Sequence, residues 1–148
     1  MAMRFMMIIK SNEDSEAGVM PTKEEIEAMG RYNEEMVKAG VMLAGEGLHP
    51  SSAGARVSFD GGKPSVTDGP FTESKELVAG FWLIQVKSKE EAVAWASRCP
   101  APQQGPGGVI EIRQVFETTD FPEETLSPEE AARQNAMRAD LERKNAGR

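Results

Sequence analysis

SVTDGPFTESKELVAGFWLIQV, residues Ser65 to Val86, changes character at its midpoint. In its first half Asp68, Gly69 and Pro70 suit a sharp turn: the Asp carboxylate can accept from nearby backbone N–H groups, Gly carries no Cβ penalty, and Pro fixes φ. Phe71 follows as the residue that plugs the turn. From Leu77 the residues are apolar and branched or aromatic, the composition of a strand. Side chains alternate across a strand, so Phe81 and Leu83 share one face while Trp82, Ile84 and Val86 share the other. Both faces are apolar, and both need cover.

Working outward, Arg4 to Lys10 has the same two-sided character, with Phe5, Met7 and Ile9 on one face and Met6 and Ile8 on the other. Thr22 and Glu25 have capping-box spacing and open a helix that Gly40 closes. Its apolar stripe is Ile26, Met29, Met36 and Val37, with Tyr32 at the edge. Val41 to Ala44 reads as a second strand. It runs into Gly45-Glu46-Gly47-Leu48-His49-Pro50, where two glycines and a proline are expected to break regular pairing, which puts His49 on a loop. Ala55 to Phe59 and Ser65 to Thr67 flank Asp60-Gly61-Gly62-Lys63, a hairpin signal that delivers the chain to Asp68. Glu73 to Glu76 is a brief helical turn before the Leu77 strand.

Ser88 and Glu91 repeat the capping-box spacing, and Ala92, Trp95, Ala96 and Cys99 follow at i, i+3, i+4 and i+7 until Pro100 stops the helix. A Gly- and Pro-rich loop, Ala101 to Gly108, precedes a last strand from Val109 to Phe116, with Ile110, Ile112 and Phe116 on one face. The order strand, helix, strand, hairpin, strand, helix, strand predicts an α+β chain of ferredoxin-like βαββαβ type with an inserted β-hairpin and two helices on one sheet face. This domain is expected over residues 1–118. Residues 119–148 form a linker, Asp120 to Leu126, and a C-terminal helical extension that starts at Ser127-Pro128-Glu129-Glu130. The extension is mostly polar, and it either docks through Met137 and Leu141 or extends into solvent.

Bulk properties narrow the function. The 148 residues suit one real core plus an appendage, and a formal net charge of −7 opposes a phosphate-binding footprint, so no nucleic-acid partner is expected. The single cysteine, Cys99, fits a reducing compartment and sits on an apolar helical stripe as a packing residue. The N-terminus lacks the features of a signal peptide and no apolar run approaches membrane-spanning length, so the expectation is a cytoplasmic chain without a membrane partner. With one His and one Cys lacking ligand spacing, and neither dinucleotide nor phosphate-loop patterns, no metal and no cofactor are expected.

The wording TDGPFTESKELVAGFWLIQVKSKEEA closely resembles the DGPF family of YCII-related proteins, and AGEGLHP, Ala44 to Pro50, is similar to a second motif of that family. The resemblance covers about Met3 to Phe116. It implies a dimeric α+β barrel, hence a homodimer, and a cleft served by a His and Asp pair, which carries over by motif to His49 and Asp68. A carboxylate beside an imidazole orients the ring and favours its charged form, which suits proton transfer. Asp68 has a second reading, as a cap of its own turn. The resemblance also implies that some relatives in this superfamily act on small cyclic substrates as lyases or isomerases, so an acid-base enzyme is one expectation. The other is a ligand- or partner-binding regulator in a bacterial alternative sigma factor system, because similar proteins are encoded beside such factors. Glu46, Gly47, Arg56, Phe71 and Trp82 are the candidate pocket residues, with Glu73 and Lys75 nearby. Solvated loop charges and a core aromatic are the competing readings of these side chains.

Overall fold

The computed structural model describes residues 2–100 and 108–147, the side chain of Lys75 excepted. The expected loop from Ala101 to Gly108 therefore lies almost entirely outside the described residues. Strands β1 (Met3–Lys10), β2 (Met42–Gly47), β5 (Val78–Val86) and β6 (Ile110–Gln114) form one antiparallel sheet in the order β2-β5-β1-β6. Helix α1 (Glu13–Glu16) is a single turn, and α2 (Lys23–Lys38) and α3 (Lys89–Ser97) follow β1 and β5. This is the ferredoxin-like arrangement, and β3 (Ala55–Asp60) and β4 (Lys63–Asp68) pair separately as the inserted hairpin. Gly61 and Gly62 turn that hairpin at φ +60° and +83°, positive values that suit a two-residue turn.

Local chemistry sets the helix ends. The Thr22, Ser88 and Ser127 hydroxyls accept from the backbone N–H of Glu25, Glu91 and Glu130 at 3.1, 3.1 and 3.2 Å, each satisfying one orphan donor of a first turn. Gly40, at φ +70°, ends α2 as expected. Helix α1 was not expected. Asn12 caps it, accepting from Ser15 N–H at 2.8 Å, and the acidic Glu13, Asp14 and Glu16 suit its N-terminal turn.

Strand register then builds the core. Phe5 lies opposite Ile84, Met7 opposite Trp82 and Ile112, and this face carries the buried cluster completed by Tyr32, Met36, Ala92 and Cys99. Burying a side chain of the size of Met36 or Ile84, both at 0% exposure, is worth about 1.5–3 kcal/mol. Tyr32, expected at the edge of the α2 stripe, is at its centre, while Ile26 and Val37 are exposed at 57% and 60%. Met29, Tyr32 and Met36 repeat at i, i+3, i+7 along one line of the helix, and Ile26 and Val37 fall well off that line. The Tyr32 hydroxyl donates to Trp95 O at 2.6 Å, and its ring meets Trp82 edge-on with centroids 5.5 Å apart. Burial, first, holds its phenol above the ordinary range, so it stays a neutral donor.

Two strand ends also differ from expectation. Strand β2 continues through Gly45, Glu46 and Gly47, which pair with Trp82, Phe81 and Gly80. A Cβ on Gly45 would lie 2.7 Å from Trp82 Cδ1, so here glycine lets the indole cross the strand rather than breaking it. Phe116 is not on β6, because the ladder to β1 ends at the pair of Phe5 with Gln114.

From Val115 the chain forms a second compact unit. Within it Phe116, 69% exposed, stacks on Phe121 at 5.0 Å, and Glu117 pairs with Arg138 at 3.4 Å. Helix α4 (Pro128–Ala146) buries none of its residues, and among the described residues no helix is long and apolar enough to cross a membrane. Truncation after Thr119 is expected to leave a single cooperative thermal transition by circular dichroism. Loss of that transition would show that the extension is needed for folding.

Candidate functional site

Three segments far apart in sequence meet behind His49. Ser51, in a short helical turn after Pro50, donates its backbone N–H to Glu16 Oε2 at 3.0 Å and its hydroxyl to Glu16 Oε1. The same hydroxyl oxygen accepts from Phe71 N–H at 2.9 Å. Gly69 N–H donates to Gly54 O at 3.0 Å, and on the other side of His49 the Leu48 N–H donates to Ala79 O at 2.8 Å. The His49 loop is therefore fixed on both flanks. Charge-assisted bonds of the Ser51–Glu16 kind are the stronger class.

The Asp68-Gly69-Pro70-Phe71 turn serves this clamp. A Cβ on Gly69 would overlap the Ser51 carbonyl oxygen, so only glycine permits the two loops to touch. Gly69→Ala is expected to cost about 2–3 kcal/mol in urea unfolding, since backbone must move to relieve the overlap. An unchanged midpoint would mean that the two loops are not in contact.

His49 is exposed at the rim of a cleft of about 400 Å³, between the Gly18–Pro21 connection and the Gly47–Pro50 segment, with Ser15 and Ala79 completing the wall. It is the one titratable side chain of that lining; the rest is apolar or small apart from Ser15. Asp68 is exposed at the end of β4, opposite Ala55, and does not line the cleft. Among the described residues no hydrogen bond or ion pair joins it to His49.

The other candidates separate into groups. Arg56 and Phe71 engage each other, the guanidinium lying over the ring at 3.8 Å. Glu46, Gly47 and Trp82 line a second cavity of about 140 Å³ with Gly45, Met29 and Asn33. It meets the His49 cleft at Gly47 and Ala79, so the two form adjoining parts of one groove. Trp82 is 4% exposed, a core residue that also shows an edge to this cavity. Glu73 lies apart, beside Thr72, Ser74 and Glu76. The Lys75 side chain lies outside the described residues. Among the described residues no three of His, Cys, Asp and Glu come together as a metal-ligand set.

Sequence reasoning missed Glu16, Ser51 and Asn33. Asn12 with Ser15 three residues on was a legible cap and could have placed Glu16 on a helical turn. Nothing local marks Ser51, whose partners are 35 and 20 residues away.

A family model for the YCII-related domain matches residues 3–119. A protein of Rhizobium meliloti (strain 1021), described as uncharacterized, is 37% identical over 79 residues. That alignment takes in 51% of this chain and 64% of the relative, so the chain spans just under two thirds of the relative's length. The family match covers the whole four-stranded sheet, both covering helices, the hairpin and the clamp behind His49, and the chain belongs to the YCII-related domain family.

Proposed function

We propose that this protein is a small-molecule enzyme of acid-base type, a lyase or isomerase acting on a small cyclic substrate, with His49 as its proton-transfer group. The observation that carries the reading is His49 itself: a lone imidazole at the rim of a mostly apolar cleft, on a loop clamped at Leu48 and Ser51. An imidazole can give and take a proton near neutral pH, and an apolar wall suits an uncharged ring. In this proposal Asp68, at the end of β4, is the orienting partner of the imidazole, although it lies outside the cleft lining. The negative charge and lone buried thiol fit a cytoplasmic setting.

The test is ¹H–¹⁵N shift mapping with α-angelica lactone, a small unsaturated ring, as the probe. Shifts are expected at Val19, Met20 and Gly47 to His49. Shifts confined to other surfaces would defeat the reading. A second reading, a partner-binding regulator in an alternative sigma factor system, draws support from hairpin β3–β4, where Val57, Phe59 and Val66 are 54%, 76% and 67% exposed.

The protein works, in this proposal, as a homodimer. Met6 and Ile8 of β1 lie opposite Leu83 and Phe81 of β5 on the sheet face away from the buried cluster, and a second copy supplies the simplest cover. Sedimentation velocity at micromolar concentration should show a dimer that Ile8→Asp dissociates. A monomeric parent chain would contradict it.

A further inference from the structure

The Trp82 indole N–H donates to Asn33 Oδ1 at 2.9 Å. An indole nitrogen is a donor only, so the amide is fixed with its oxygen on Trp82 and its NH₂ at the free end. Asn33 is half-buried on α2 and lines the cavity beside Gly45, Glu46 and Gly47. Among the described residues nothing accepts from that NH₂, and it is not sealed from solvent. The donor is thus aimed by a buried aromatic and left without a protein partner. Met29, Ile9 and Phe81 give the same cavity an apolar wall, and Glu46 gives it a carboxylate.

We propose that Asn33 is a specificity-determining residue of the groove, donating to an uncharged carbonyl oxygen of the ligand whose other end reaches His49. The inference rests on the small-molecule reading of the His49 cleft, which this cavity adjoins. A donor without a partner loses its water when an apolar body enters, so a ligand lacking an acceptor there is disfavoured. A carboxylate would supply the acceptor but meets the like charge of Glu46. A neutral ketone, lactone or amide carbonyl satisfies both constraints.

The experiment is ¹H–¹⁵N NMR of the full chain titrated with three matched probes: hydrocinnamamide, hydrocinnamate and 3-phenylpropylamine. Hydrocinnamamide at millimolar concentration is expected to shift the Asn33 side-chain NH₂ and the Trp82 indole N–H, and the charged probes are expected to leave them in place. Asn33→Asp keeps an oxygen for the indole and replaces the amino group with a second oxygen. It should weaken hydrocinnamamide about tenfold or more while retaining a cooperative melt. Should that variant fail to fold, the Asn33 shifts in the unaltered protein decide the matter. Absence of those shifts, equal binding of either charged probe, or undiminished affinity in Asn33→Asp would overturn the proposal. Failure of the lactone to shift Gly47 to His49, with the Asn33 shifts intact, would instead count against the acid-base reading alone.

Discussion

Trp82→Ala is expected to lower the unfolding free energy by about 3–5 kcal/mol, or roughly 6–20 °C in melting temperature for a chain of this size. The residue is 4% exposed, meets Tyr32 edge-on, holds Asn33 through its N–H, and lies over the position where Gly45 lacks a side chain. Truncation removes all of these contacts and leaves a cavity between β2, β5 and α2 that a strand and a helix cannot close by small shifts. Trp82→Phe keeps most of the packing but leaves Asn33 Oδ1 without its donor, and should cost about 1–3 kcal/mol. Urea unfolding followed by far-ultraviolet circular dichroism separates the two. A loss under about 1 kcal/mol for Trp82→Ala would mean that the indole is a surface lining rather than part of the core.

The fold was legible where the signal is local or periodic. The alternation in Arg4 to Lys10 and Leu77 to Val86 placed two central strands, and three Ser or Thr residues with Glu three positions on placed three helix starts. What failed depended on neighbours that a single strand or helix does not announce. Gly45 and Gly47 read as strand breakers, yet β5 supplies their ladder partners and Trp82 needs the missing Cβ. Tyr32 read as the edge of the stripe, yet its ring is buried and Trp95 O gives its hydroxyl a part-buried acceptor. Phe116 continued the β6 alternation, but pairing with β1 had already ended.

For the site, the position of His49 on a loop was legible from Gly45 to Pro50, and the turn chemistry of Asp68 to Pro70 was legible from composition. The physical link between the two motifs was not. It runs through Glu16, in the helical turn after β1, and Ser51, in the turn after β2, and joins them only once both meet Phe71 in the segment after β4. Asn33 was hidden for a related reason. A polar residue on a predicted helix face is ordinarily solvated, and only the strand across from it shows that its amide is held by an indole.

His49→Ala is expected to have the largest effect on function with little effect on folding. The side chain is exposed and makes no hydrogen bond among the described residues, so its loss should change stability by no more than about 0.5 kcal/mol. A positioned general acid or base contributes about 10²–10⁴-fold, and that is the expected loss. The measurement is the isomerisation of α-angelica lactone in D₂O, in which a proton leaves the carbon beside the carbonyl, the double bond moves next to the carbonyl, and a proton is added at the methyl-bearing ring carbon, the far end of the original double bond. Deuterium incorporation is followed by ¹H NMR with the unaltered protein, His49→Ala and buffer alone. Incorporation faster than buffer is expected with the unaltered protein, with a fall of about 10²-fold or more in His49→Ala. Equal rates in the two proteins, or no rate above buffer in either, would contradict it.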